Sequence, residues 1–125
     1  MRVSLAALRS VLQQNVAEVK FVRRNPKPGF PAERRMLCTN SHNLLNSKKG
    51  RLALRYTPPK SSPDYNPNMK NLVITWDVFM QGYRTINVDK CQLISIIPAD
   101  DTFWEYFTEK LTTMTSQQKA SFMSV

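Results

Sequence analysis

The sequence contains few of the residues that build metal sites, phosphate loops and disulfide frameworks. Its 125 residues include one histidine, His42, two cysteines, Cys38 and Cys91, and three glycines. The cysteines and the histidine lack the paired spacing of a zinc site, and two cysteines make no disulfide framework. Three glycines are too few for a glycine-rich phosphate loop. We therefore expect no metal, no cofactor and no catalytic residue, and we predict that the protein is not an enzyme.

Long apolar runs are also absent from the sequence. No stretch approaches the roughly 18–20 apolar residues of a membrane span, and Arg9 interrupts the apolar N-terminal segment. A hydrophobic content of 42% is enough for one core, whereas two cores would leave about 60 residues each, the marginal size for a domain. The sequence thus predicts a single domain over residues 1–125, with no membrane partner. Its sparing use of cysteine indicates a reducing cytoplasm.

Acidic residues are scarce in one part of the chain. The sequence has 18 Lys and Arg against nine Asp and Glu, a net charge of +9. Residues 20–60 alone carry eleven basic residues and one acid, Glu33, whereas residues 61–125 have a net charge of −2. A field of this kind favours a polyanion, such as nucleic acid, an anionic membrane surface or an acidic protein. The alternative interpretation is that the charge only maintains solubility.

The hydrophobic pattern changes from helical to extended and back to helical along the chain. Ser4 is a suitable N-cap for a helix over 5–14, and Thr102 with Glu105 forms a capping-box pattern before a helix over 103–111. A final short helix is predicted after Thr115. Residues 47–51 have the composition of a hairpin turn. Strands are predicted over 16–24, 33–39, 51–57, 72–79, 83–88 and 93–97.

The basic residues form two groups on predicted loops, and we interpret both as phosphate-binding. Arginine presents a planar fork that suits phosphate, and aromatic rings beside it can stack on unpaired bases. The alternative is that solvated loops are simply charged and that the aromatic rings anchor them. The predicted nucleic-acid-binding residues are Arg23, Arg24, Lys27, Arg34 and Arg35 at the first hairpin, Lys48, Lys49, Arg51 and Arg55 after it, and the aromatic residues Phe30 and Tyr56.

The C-terminal helices carry a second set of candidate residues. Their aromatic side chains could cap one end of a barrel or bind a partner chain, and we predict a partner-binding face formed by Phe103, Trp104, Phe107 and Phe122. By contrast, Asp77 is expected to pair with Arg84 or to bond within its own turn. Trp76 and Tyr83 are expected to pack in the core or hairpin.

Three segments, VAEVKFVRR, RRMLCT and LVITWDVFMQGYRTINVDKC, carry a resemblance to a known family. They resemble small bacteriophage proteins with an SH3-like β-barrel fold, over about residues 5–97. The family has tryptophan where this chain has Tyr83. The resemblance implies the fold and a phage origin, and it implies no established activity. The matching residues are Arg35, Met36, Cys38, Thr39, Trp76, Asp77, Gly82, Tyr83, Arg84 and Asp89.

Pattern and resemblance together predict a mainly β (α+β) fold. The expected architecture is a small SH3-like antiparallel β-barrel with a short N-terminal helix and two C-terminal helices. The N-terminal helix region covers residues 1–15. The barrel covers residues 16–97, with basic inserts at 25–33 and 40–70. A helical extension covers 102–124. A barrel of this kind needs about five short strands, and closure would remove the sheet edges.

The predicted function is that of a small, basic, non-enzymatic phage protein that associates with DNA or RNA through its basic loops. The alternative is a protein–protein interaction module that uses the aromatic C-terminal helices. Such a module would be directed at a host enzyme or would act as a virion or assembly component. The expected partners are nucleic acid or an acidic host or phage protein, with a homo-oligomer as a further option. The expected location is the host bacterial cytoplasm or the virion.

Overall fold

The computed structural model describes residues 3–22, 28, 32–58, 71–116 and 122. The chain begins with helix α1 (Leu5–Gln14), which has the predicted bounds. The Ser4 hydroxyl accepts a hydrogen bond from the Ala7 amide at 3.1 Å, so the predicted N-cap is confirmed. Leu8 and Leu12 lie on the buried face of α1 and attach it to the sheet.

Five antiparallel strands form one sheet in the order β4-β3-β2-β1-β5. An α+β fold with an antiparallel sheet was predicted, and this is confirmed. The sheet is open, because no ladder joins β4 to β5 within the described residues, so the closed barrel is not formed by strand pairing. The strands are β1 (Asn15–Val22), β2 (Glu33–Thr39), β3 (Leu72–Asp77), β4 (Gly82–Asn87) and β5 (Cys91–Pro98).

The sheet is nevertheless strongly curled, as its last connection requires. Only the 3-10 turn Val88–Lys90 separates β4 from β5, although these strands lie at opposite edges. Four strand spacings of a flat sheet would place the edges about 19 Å apart, whereas the chain from Asn87 to Cys91 spans at most about 14 Å. The two edges therefore approach each other at this end of the sheet.

Curling gives the sheet an inner and an outer face, and each face has its own apolar cluster. The inner cluster contains side chains from all five strands together with Leu8 and Leu12 of α1. The outer cluster joins Val16, Leu37 and Trp76 of the sheet to the helices that follow β2 and β5. Because successive side chains of a strand point to opposite faces, β2 supplies Met36 and Cys38 to the inner cluster and Leu37 to the outer one.

The two short helices that follow β2 pack on the outer face of the sheet. Helices α2 (His42–Leu45) and α3 (Lys48–Ala53) follow β2. The predicted strand over 51–57 and the predicted hairpin turn over 47–51 are therefore wrong, because Ser47 caps a helix at this point. Residues 59–70 of the second predicted insert lie outside the described residues. No helix in the described parts of the chain is long and apolar enough to cross a membrane.

Helix α4 (Asp101–Thr113) follows β5 and extends two residues beyond the predicted helix at each end. Its N-cap is Asp100, whose carboxylate accepts from the Thr102 amide at 2.8 Å, and not the predicted Thr102. Asp is as good an N-cap as Thr, and the chain reaches Asp100 first. The predicted final helix falls mostly outside the described residues, although Ser116 and Phe122 have helical backbone.

Candidate nucleic-acid interface

The first feature of the site is the way in which α3 is mounted on α2. The Ser47 hydroxyl donates to the Leu44 carbonyl at 2.7 Å and accepts from the Gly50 amide at 3.0 Å, so one side chain links the two helices. Leu44, Leu45 and Leu54 are buried beneath them in the outer cluster. These contacts fix the direction in which the remaining side chains of α3 project.

Gly50 lies directly against the backbone of α2. A Cβ atom at this position would lie 2.6 Å from the Leu45 carbonyl oxygen and closer still to that of Leu44. Such an approach between two short helices is possible only without a side chain. The close contact turns the other side of α3 outward.

Four exposed basic side chains lie on α3 or directly after it, and we call them the α3 surface: Lys48, Lys49 and Arg51 on the helix, and Arg55 after its C-cap. The sequence has no carboxylate between residues 34 and 63. In the parts of the chain that the structure describes, no acidic group forms an ion pair with these four residues. Arg51 donates to the Asn46 side-chain oxygen at 2.6 Å, which orients its guanidinium. Within the described part of the chain, the α3 surface is thus a group of cations without acidic partners.

The basic residues of β1 and β2 that the structure describes are placed differently, because each is paired with an acid. Lys20 lies 3.5 Å from Glu33 on the neighbouring strand. Arg35 lies 3.0 Å from the Glu18 carboxylate. These pairs neutralise much of the positive charge of β1 and β2.

Arg34 lies on the inner face, opposite to Arg35. Its guanidinium is 2.6 Å from the Asp77 carboxylate and 5.9 Å from the centroid of the Phe21 ring. Arg34 and Arg35 were expected to converge at the hairpin tip, but neighbouring strand residues point to opposite faces, so they do not act together. Arg34 is buried and does not reach the surface. The other predicted residues of this group, Arg23, Arg24, Lys27 and Phe30, lie outside the described residues.

Asp77 bonds within its own turn, as predicted. Its second carboxylate oxygen accepts from the Phe79 amide at 3.1 Å and from the Met80 amide at 3.0 Å. Burial raises the pKa of this carboxyl group above its ordinary value, while the Met80 hydrogen bond and the Arg34 charge act in the opposite direction. The charged partner is Arg34 rather than Arg84, the alternative that the sequence suggested.

Tyr56 is held in the loop after α3 and does not present its ring as a free stacking platform. Its hydroxyl is 2.8 Å from that of Tyr83, and its ring meets Trp76 edge-on with the centroids 5.0 Å apart. Burial, and next the hydrogen bond between the Tyr83 and Tyr56 hydroxyls, raise the pKa of the Tyr83 phenol far above its ordinary value. These contacts correspond to the anchoring role that the sequence left open for Tyr56.

Three of the four predicted partner-binding residues lie in the outer cluster: Phe103, Phe107 and Phe122. Phe79 stacks on Phe107 at 5.7 Å and meets Phe122 edge-on at 5.5 Å. These rings hold α4 on the sheet, and their burial leaves them no area for a partner. Trp104, the fourth residue, is only partly buried.

Trp104 connects α4 to the α3 surface, a contact that no sequence pattern indicates. The Lys49 ammonium lies 6.0 Å from the centroid of the Trp104 ring. The ring lies in a shallow, almost flat groove on one face of α4, and the other residues that line it, Glu105, Thr108, Glu109 and Thr112, belong to the same helix. Residues 49 and 104 are distant in sequence, so only the fold of α3 against α4 brings them together.

The cysteines have the environment of core residues. Cys38 is buried, and burial raises the pKa of its thiol far above the ordinary value. His42, the one histidine, has its ring Nδ1 2.8 Å from the Asn46 side-chain nitrogen. Among the residues that the structure describes, no group of His, Cys, Asp and Glu could hold a metal ion.

Comparisons with protein-family models, with curated proteins and with solved structures find no match for this chain. Arguments about function therefore rest on the α3 surface and its surroundings.

Proposed function

We propose that this protein is a small, non-enzymatic nucleic-acid-binding protein and that the α3 surface is where phosphates bind. The observation that carries the proposal is the contrast between the two groups of basic residues. The cations of β1 and β2, Lys20, Arg34 and Arg35, are each paired with a carboxylate. The four cations of the α3 surface have no acidic partner among the described residues. Phosphates are the natural counterions for such a cluster.

The proposal extends to the fold type and the origin of the protein. The strong curl of the sheet and the three-residue connection between its edge strands support an SH3-like barrel, with α1 against its inner cluster. The resemblance of the β2 and β3–β4 sequences to small phage proteins supports a bacteriophage origin and action in the host cytoplasm. A fold of this type does not define a function by itself, so the binding proposal depends on the α3 surface alone.

The alternative, a protein–protein interaction module, has weaker support. Of the four aromatic residues predicted to bind a partner, only Trp104 has part of its ring outside the core. An acidic protein remains a possible polyanion for the α3 surface, and the experiment below distinguishes it from nucleic acid.

The test measures binding to a labelled duplex and a labelled single strand as a function of salt. We expect binding at low salt that weakens as salt rises, with a slope of about 0.7–0.9 in log K per phosphate contact. The double variant Lys48→Gln/Arg51→Gln removes two cations from the α3 surface. The slope of log K against log salt concentration should fall by the amount expected for about two phosphate contacts.

The matched control is the double variant Arg9→Gln/Lys90→Gln, which removes the same charge from exposed positions elsewhere. It should leave the slope nearly unchanged. An equal loss in both variants would mean that only net charge matters, and absence of binding at low salt would overturn the proposal. Salt-resistant capture of an acidic protein, unaffected by nuclease treatment, would instead support the interaction module.

A further inference from the structure

We propose that the groove beside Trp104 takes an unpaired nucleobase, so that the nucleic acid bound at the α3 surface is single-stranded. This inference rests on the proposed function and assigns it a substrate class. The juxtaposition that carries it is an aromatic ring in an open groove, next to a cluster of uncompensated cations.

Two phenylalanines hold the Trp104 ring, and the ring is partly exposed beside Lys49. Phe103 meets it edge-on with the centroids 5.0 Å apart, and Phe107 does so at 6.2 Å. Both phenylalanines are themselves in the core, so the indole has little freedom to turn. A rigid, partly exposed ring of this kind is what a base stacks on, and stacking requires no particular base sequence.

Lys49 connects the ring to the phosphate-binding cations. Its ammonium lies 6.0 Å from the Trp104 centroid, at the outer limit of a cation–π contact. The side chain is exposed and can turn toward a phosphate while the ring accepts the base. A nucleotide bound here would therefore place its base on the Trp104 ring and its phosphate beside the cations of the α3 surface.

The other side chains that line the groove favour the binding of a base over that of a phosphate. Glu105 and Glu109 lie four residues apart and so on one face of α4, where their carboxylates accept hydrogen bonds and repel anions. The exocyclic amino group of cytosine is a donor that carboxylates recognise. The Thr108 and Thr112 hydroxyls donate to helix carbonyls at 2.9 Å, and this leaves the glutamates as the polar groups of the groove.

The same carboxylates argue against the other polyanions. An acidic peptide would meet Glu105 and Glu109 as like charges. A duplex keeps its bases paired and stacked inside the helix, so it can reach the α3 surface but cannot place a base on Trp104 without unpairing it. An unpaired strand can place a base in the groove while its phosphates contact the basic α3 surface.

The test uses the fluorescence of the full-length protein, which contains two tryptophans. Trp76 is only 3% exposed, so quenching by an added strand reports on Trp104. We expect a short single strand of deoxycytidine to quench the emission and a duplex of equal length not to. Deoxycytidine should bind more tightly than thymidine, which lacks the amino group.

Two variants separate the groove from the cations. Trp104→Leu should weaken single-strand binding by about tenfold and leave duplex binding unchanged. Glu105→Gln/Glu109→Gln should keep the quenching but lose the preference for deoxycytidine over thymidine. Because these two glutamates are on the helix surface, the second variant remains informative even if Trp104→Leu fails to fold.

The outcomes also separate this inference from the proposed function. Equal binding of duplex and single strand with no quenching would overturn the base-binding groove, while salt-dependent binding lost in Lys48→Gln/Arg51→Gln would keep the α3 surface. Absence of binding to either form would overturn both.

Discussion

The buried ion pair between Arg34 and Asp77 shows how a single contact can redirect a basic residue. The Asp77 carboxylate is fully buried and takes donors from one side chain and two backbone amides. The Nε atom of Arg34 is buried without a hydrogen-bond partner among the described residues. The pair is thus fully satisfied on the acid side and incompletely on the basic side, and removing the acid leaves a buried cation.

We predict that Asp77→Ala lowers the free energy of unfolding by about 3–5 kcal/mol, because a buried charge loses its partner. Urea denaturation at neutral pH measures this. The control is Glu33→Gln, which breaks the exposed pair with Lys20 and should cost less than about 1 kcal/mol. Similar small losses in both variants would show that the Arg34–Asp77 pair is not a stabilising contact.

At the residue scale, the sequence predicted hydrogen bonds between residues close in the chain but not contacts between residues far apart in it. The turn role of Asp77 was predictable because it involves amides two and three residues away. The Arg34 pair spans 43 residues, and Arg34 lies in a run of basic residues that looks solvent-exposed in the sequence. Which strand is placed beside which decides such a contact, and the hydrophobic pattern does not specify that.

At the scale of elements, the connection α2–α3 is where the sequence pattern misled. Leu52, Leu54 and Tyr56 alternate as in a strand, and Lys-Lys-Gly-Arg is typical of a turn. Ser41 and Ser47 nevertheless cap two short helices, and their hydroxyls accept from Leu44 N and Gly50 N. Serine is a common N-cap residue, so both caps could be inferred from the sequence. The close approach of Gly50 to the α2 backbone could not, because it depends on how α3 packs against α2.

Gly50→Ala tests this seating. We predict a loss of stability of about 1–3 kcal/mol or more, because the added methyl group meets rigid carbonyl oxygens rather than a movable side chain. The exposed Lys48→Ala in the same helix is the control, and it should change the urea midpoint little. Gly50→Ala should also weaken nucleic-acid binding by displacing the α3 surface. A variant of unchanged stability would mean that α2 and α3 separate easily.

For helix α4, the sequence indicates the element but not what its apolar face packs against. The capping-box pattern of Thr102 and Glu105 predicted a helix over 103–111, and the presence of a helix there is confirmed. The sequence does not say whether such a face covers the chain's own core or a partner. The structure answers this for Phe103 and Phe107, since both pack in the outer cluster.

On the scale of the whole molecule, two apolar clusters lie on opposite faces of one curled sheet. Five of the six predicted strands exist at nearly the predicted positions, because alternation and β-branched residues mark them. Their order and curl were not derivable from alternation. The curl makes the inner cluster a shared product of all five strands, so no strand can leave without disrupting it.

Cys38 and Cys91 both lie in the inner cluster and report on its opening. We predict that neither thiol reacts with a thiol reagent at pH 8 in the folded protein and that both react together as the protein unfolds. Labelling at increasing urea, followed by mass spectrometry, measures this. Rapid labelling of one cysteine without denaturant would contradict a single cooperative inner cluster.

The same thiols give a pH dependence. Burial raises the pKa of Cys91 from 9.0 to about 11. The unfolded chain therefore loses this proton first, and the free energy of unfolding should fall as the pH rises through this interval. Cys91→Ser should flatten the dependence, whereas unchanged pH profiles in the two proteins would show that Cys91 is accessible to water.

The position of β1 between β2 and β5 has a consequence for protein synthesis. As the chain leaves the ribosome, β1 can pair with β2 as soon as residue 39 is free. Its other side pairs with residues 91–98, so it stays open until most of the chain has emerged. Contacts between such distant segments form slowly. One edge of β1 therefore stays unpaired in the nascent chain until residues 91–98 have emerged, and the sheet is completed only when β5 pairs with it.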